Sequence, residues 1–216
     1  MAKGRKSVRQ QVTSELKRSL ILDAARKVFE AGGLDGASLR AIASAAGYTP
    51  AALYFHFTSK EAIYAEVLRG SLVNLGTAVS RATLRARTPG ERLRAAAMAF
   101  FRYYDDNPRD LDLGFYLFRG GMKPHGLGKE RDQVLNAALD LALYPIAEAA
   151  MALGARRAEA RTLVADVFAH VSGLLLLAHT GRIRMFGASA PKLMERFIET
   201  AIAALPGKPK KQRGCS

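Results

Sequence analysis

The residues best equipped for chemistry gather between Ser38 and Lys60, in SLRAIASAAGYTPAALYFHFTSK. Ser38, Tyr54, His56 and Lys60 carry donors suited to phosphate oxygens, which fix register on a polyanion without reading its sequence. Arg40 can present two parallel N–H groups to one guanine edge. Tyr48, Thr49, Pro50, Ala51 and Ala52 are the other candidate base contacts; Thr49, Ala51 and Ala52 offer only small or methyl-sized ones, so readout through those three is weak and shape-dependent. Two alternatives stay open: Tyr48 also reads as an apolar plug behind Gly47, and Arg40 as a solvated helix residue.

Covalent and metal chemistry find no comparable set. Of the four histidines, His56, His125, His170 and His179, no two stand at HxxxH spacing. The lone Cys215 cannot build a zinc site or an internal disulfide. Gly126 and Gly128 lack the third glycine and the preceding strand of a dinucleotide loop. Asp105-Asp106 reads as helix-end capping before Asn107-Pro108. The chain is therefore expected not to be an enzyme and to need no cofactor and no metal.

The donors must be placed by short helices. Ser38 is a natural N-cap, and Leu39, Ile42, Ala43 and Ala46 fall on one apolar side. Gly47 stands where the chain reverses, Thr49 is a second N-cap, and Pro50 suits a first helical position. In the second helix Thr49, Ala51, Ala52, Tyr54 and His56 point outward, with Leu53 and Phe57 inward. Helix, glycine turn and helix make a helix-turn-helix. A preceding helix, starting between Thr13 and Ser19, would cover its back with Leu16, Leu20, Ile21, Ala24, Ala25, Val28 and Phe29. Gly32-Gly33 would end that helix.

With its flanks ILDAARKVFEAGGLDGASLRAIASAAG and LYFHFTSKEAIYAEVL, the stretch from Leu20 to Leu68 resembles the DNA-binding region of the TetR family of transcriptional repressors. The resemblance implies a homodimer on a palindromic operator of double-stranded DNA. It also implies a second helical region that holds a small-molecule effector and governs the spacing of the two reading heads. The family's tyrosine and lysine at matching positions grip the DNA backbone, which points to Tyr54 and Lys60.

The rest of the chain reads as helices throughout, for an all-α protein of about nine. Thr58-Ser59-Lys60-Glu61 and Thr88-Pro89-Gly90-Glu91 are capping-box patterns. A long helix from the first box to about Arg85 carries Ile63, Val67, Leu72, Leu75 and Val79. The next buries Leu93, Ala97, Phe100, Phe101 and Tyr104, and a short one runs from about Pro108 to Arg119. A helix over 129–153 contains Pro145, which should kink it. Another, over 156–180, is apolar nearly all round, and the last starts near Ser189 and stops at Pro206-Gly207. The domains read as 1–13, a basic arm that is either disordered or laid on DNA; 14–62, the helix-turn-helix domain; 63–206, the effector-binding and dimerisation domain; and 207–216, a basic tail.

Phe100, Tyr103, Tyr104, Phe115, Tyr116, Phe118, Met122 and Phe168, with His125 and His170 as polar handles, are the expected effector pocket. The same aromatic stripe also reads as plain core. Val167, Val171, Leu174, Leu175, Phe197, Ile198 and Ala201 are the expected dimer interface, with the monomer's own core as the alternative reading.

A formal charge of +14 over 216 residues favours a polyanionic partner. The polar, basic N-terminus has no signal-peptide pattern, and Leu163–Ala178 is broken by Asp166, His170 and Ser172. That run is expected to be a buried helix, and the protein to be cytoplasmic with no membrane partner. The sequence thus points to a ligand-responsive repressor, with a basic helical protein that coats DNA or anionic membrane without sequence choice as the rival.

Overall fold

A computed structural model describes residues 2–115 and 126–206, with side chains from residue 11 onward. Nine α-helices and no strand are present among the described residues. They are α1 (Ala2–Gly36), α2 (Leu39–Ala46), α3 (Pro50–Tyr54), α4 (Lys60–Thr83), α5 (Pro89–Asp106), α6 (Pro108–Gly114), α7 (Lys129–Ala152), α8 (Arg157–His179) and α9 (Ala190–Ala204). A 3-10 turn, Arg182–Phe186, lies between left-handed Gly181 and Gly187 and precedes α9; the sequence reading had no element there.

The chain forms two compact units. The first is Met1–Ser71 with Arg109–Asn136, and the second is Leu72–Pro108 with Ala137–Ser216. The unit that holds the helix-turn-helix therefore extends past the expected 14–62, to Ser71 in α4, and takes in α6 and the start of α7.

In the first unit α1 already begins at Ala2, so the expected disordered arm is helix from its second residue. Nothing in KGRKSVRQQV stops it: no proline intervenes, and lysine, arginine and glutamine are good helix formers. The core stripe of α1 starts later than its pattern implies. Ile21, Ala25 and Phe29 are fully buried, whereas Leu16 and Leu20 are exposed. Phe29 meets the ring of Tyr64 edge-on at 4.8 Å, an arrangement that suits the ring quadrupoles. The Tyr64 hydroxyl donates to the Leu113 carbonyl at 2.9 Å, which fastens α6 to α4. Asp110 of α6, almost fully buried, accepts from Arg26 of α1 and from the Ser71 hydroxyl of α4, the latter at 2.8 Å. Each large apolar side chain removed from water here contributes about 1.5–3 kcal/mol.

The second unit is built from the end of α4, α5, most of α7, α8 and α9. The Thr88–Glu91 capping box forms as its pattern implies. Glu91 accepts from the backbone N–H groups of Arg87 and Thr88, and these bonds hold its carboxyl below the ordinary value. Gly76 of α4 meets α7 so closely that an added Cβ would lie 3.4 Å from Ala142 Cα. Pro145 sits inside α7, and Gly154 closes that region at a φ of 99°. Arg94 of α5 holds Glu199 of α9 in a two-pronged pair, one prong at 2.9 Å.

Leu93, Phe101, Ile146, Val167, Val171, Leu175, Met194 and Ile198 form the core of this unit. That corrects the expected dimer set: Val167, Val171, Leu174, Leu175 and Ile198 are buried within the single chain, and only Phe197 and Ala201 are half-buried. The physical reason is that α8 turns its β-branched and leucine face toward its own unit. The large apolar residues it leaves exposed are Phe168 and Leu176. By length and composition α7 and α8 would each reach across a bilayer.

Candidate nucleic-acid interface

Two cap interactions shape the helix-turn-helix. The Ser38 hydroxyl accepts from the Ala41 N–H at 3.1 Å and starts α2. The Thr49 hydroxyl accepts from the Ala52 N–H at 3.2 Å and starts α3, with Pro50 in its first turn. Between them Gly47 takes φ 72°, ψ 27°, a left-handed turn that a Cβ would strain. The N–H of Tyr48 reaches back to the Ala43 carbonyl at 2.9 Å, so the end of α2 keeps its hydrogen bonds through the turn. Below, Ile42, Ala43, Leu53 and Phe57 are buried and hold both helices on α1.

Above this floor the expected contact residues divide by exposure. Ser38, Arg40, Thr49, Pro50, Ala51 and Tyr54 are exposed, while Tyr48, Ala52, His56 and Lys60 are half-buried. All ten lie on the helix-turn-helix or the first residue of α4, and no carboxylate occurs between Ser38 and Lys60. The surface offers hydroxyl, phenol, imidazole and guanidinium groups with no acid to repel a phosphate. It can bind an anion and touch base edges, and it holds no set for covalent chemistry.

Lys60 has a further commitment. Its ammonium donates to the carbonyls of Leu34 at 2.9 Å and Ala37 at 3.3 Å, the chain segment that joins α1 to α2. Ser59 caps α4 by accepting from Ala62 N–H at 3.2 Å.

Two residues were missed by the sequence reading. Phe55 is 90% exposed directly after α3, an uncommon position for a phenylalanine on a folded surface. Its place midway between buried Leu53 and Phe57 puts it off the apolar side, a signal the spacing already contained. Arg18 of α1 donates to the His56 carbonyl at 3.1 Å and lies 4.4 Å over the Phe57 ring. It also faces Glu66 of α4 at 3.5 Å. Arg18 thus ties the end of α3 to α1 and α4, a tertiary role invisible in spacing.

The expected effector residues do not form one group. Phe100, Tyr103 and Tyr104 of α5 make a ring cluster with Phe168 of α8, at centroid distances of 5.2–5.9 Å. His170 faces elsewhere: it stacks on Phe197 of α9 at 4.1 Å, so it is not a handle on that cluster. Burial pushes the His170 imidazole below its ordinary value, and its Nε2 has no hydrogen-bond partner. Phe115 belongs to the first unit. Tyr116, Phe118, Met122 and His125 lie outside the described residues, as does the 207–216 tail. Among the described residues no three histidine, cysteine or acidic side chains cluster as metal ligands.

The sequence profile of bacterial regulatory proteins, tetR family, matches residues 21–67. The HTH-type transcriptional activator FasR of Mycolicibacterium smegmatis is 35% identical over 99 residues, 46% of this chain and 45% of FasR. The HTH-type transcriptional repressor KstR2 of Rhodococcus jostii is 38% identical over 101 residues, 42% of this chain and 50% of KstR2. The chain thus spans about half the length of these curated relatives. In fold it is similar to the transcriptional regulator FadR of Bacillus subtilis, solved in complex with stearoyl-CoA. That likeness has a TM-score of 0.65 at 17% identity, over 86% of this chain and 97% of FadR. It is the helix-turn-helix region, residues 21–67, that matches the TetR family of bacterial regulatory proteins.

Proposed function

We propose that this protein is a cytoplasmic, homodimeric transcription regulator that binds a palindromic operator and is released from it by a small apolar or aromatic effector. The observation that carries the reading is the capped turn from Ser38 to Thr49. It fixes α3 on a buried floor of Leu53 and Phe57 and leaves Arg40, Thr49, Pro50, Ala51 and Tyr54 free.

In this reading Ser38, Tyr54, His56 and the remaining donor of Lys60 grip phosphates. Arg40 reads a guanine, and Tyr48, Thr49, Pro50, Ala51 and Ala52 shape the fit along the groove. Phe55 joins them as an apolar contact to a thymine methyl. A single short recognition helix binds weakly, so two heads related by a two-fold axis are needed. Exposed Leu176 of α8, with Leu141 and Tyr144 of α7, supplies apolar surface for such pairing. The Phe100–Tyr104–Phe168 cluster supplies aromatic walls for an apolar effector.

Relatives are named as an activator and as a repressor, and of the two roles we infer repression. Selection of bound duplexes from a random pool, followed by footprinting, tests the whole reading. A symmetric protected site is expected. Uniform, salt-sensitive coating of any duplex would overturn it in favour of charge-driven binding without sequence choice.

A further inference from the structure

A cleft of about 320 Å³ opens within the first unit, and none of the α5 and α8 aromatic residues lines it. Its walls come from α1, the turn after α3, the first turns of α4 and the first turns of α7. The floor is apolar: Phe57 and Leu135 are buried there, and Ala62 and Ala65 have side chains too small to fill it. Val134, 53% exposed, continues that apolar surface to the rim.

The rim is charged and not balanced. Arg18, Arg69 and Arg131 stand against Glu66 and Glu130. Glu66 serves two guanidinium groups at once, Arg18 at 3.5 Å and Arg69 at 3.0 Å. Arg131 donates to a neutral acceptor, the Leu127 carbonyl, at 3.2 Å. Guanidinium donors therefore outnumber the carboxylate oxygens that face them, above a floor that gains by being covered.

We propose that this cleft binds a small carboxylate with an apolar body, its anionic end shared among Arg18, Arg69 and Arg131 and its body on Phe57, Leu135 and Val134. An uncharged body leaves the guanidinium surplus unanswered, and a cationic one is repelled by it. Arg18 also holds the His56 carbonyl at the end of α3, so an occupied cleft acts on the placement of the recognition helix. That consequence rests on the DNA-binding reading; the binding event itself does not.

The test is calorimetric titration of the full-length protein, without DNA, with decanoate below its micelle concentration, decan-1-ol and decyltrimethylammonium. Val134→Glu and Val134→Lys alter the rim by similar bulk and opposite charge at an exposed position. Decanoate is expected to bind the parent protein, to bind Val134→Lys at least as well, and to bind Val134→Glu about five- to tenfold more weakly. Equal affinity for all three proteins would place the ligand elsewhere and overturn the proposal. So would no uptake of decanoate, equal uptake of the alcohol or the cation, or binding only to phosphatidylglycerol vesicles. A failure of operator binding leaves this titration unaffected, so the two readings fail separately.

Discussion

The ammonium of Lys60 sits 2.9 Å from the Leu34 carbonyl oxygen, on the backbone that carries α1 into α2. A lysine expected on a phosphate is thus already part of the protein's own scaffold. Two of its three donors are taken, by Leu34 and Ala37, and one is left to reach outward. Lys60→Ala is expected to act twice. It should lower stability by about 1–2 kcal/mol in urea unfolding, because two carbonyls lose a charged donor. It should also weaken binding to every duplex alike. Loss of binding at unchanged stability would remove the tethering role.

Arg40 and Tyr54 are both exposed on the reading head, yet their chemistry separates them. Arg40→Ala should relax the choice at one base pair by about 1–3 kcal/mol and leave the other positions intact. Tyr54→Phe deletes one donor to the backbone and should lower affinity evenly across sequences. Binding to a panel of single-base operator variants distinguishes the two. A uniform drop for Arg40→Ala would make that arginine a phosphate contact, and no change would return it to the solvated helix surface.

Much of the head was legible in the sequence because its signals are local. Ser38, Gly47, Thr49 and Pro50 each act on backbone within four residues, so type and spacing sufficed to place α2, the turn and α3. The inward Leu53 and Phe57 followed from helical period alone. What was not legible depends on distant partners. The commitment of Lys60 to Leu34 and Ala37, the reach of Arg18 to His56, and the burial of Asp110 between Arg26 and Ser71 all join residues more than twenty positions apart. Five of the seven residues expected at a dimer interface are buried in the single chain for a related reason. A helix apolar nearly all round, like α8, does not declare which side meets its own unit, and the side chosen was the one with Val167, Val171 and Leu174.

Asp110 concentrates three elements on one carboxylate. It is 8% exposed and pairs with Arg26 of α1 while accepting from Ser71 of α4. Removing it leaves a partly buried guanidinium without its counter-charge, which is the expensive half of such a pair. Asp110→Ala is expected to destabilise the protein by about 2–3 kcal/mol, below the fully buried limit because Arg26 retains some contact with water. Asp110→Asn keeps an acceptor for Ser71 and should cost less. Chemical denaturation of the two variants checks the order, and equal losses would reduce the contribution of Ser71 to nothing.

His170 predicts how stability changes with acidity. Burial pushes its imidazole below the ordinary value, and the nearby Arg196 pushes the same way, while a backbone hydrogen bond at Leu193 opposes them. Above the unfolded value of about 6.5 the group is neutral in both states and contributes no pH dependence. As pH falls below that, the unfolded chain takes up a proton that the native His170 refuses. Stability is therefore lost between the unfolded value and the depressed native one. His170→Leu keeps an apolar side chain against Phe197, which His170 stacks upon at 4.1 Å, and removes the titrating group. Melting temperatures measured from pH 7.5 down to pH 5 should fall less steeply for His170→Leu than for the parent protein. Parallel curves would show that the native imidazole protonates as readily as the unfolded one and that its surroundings do not resist the charge.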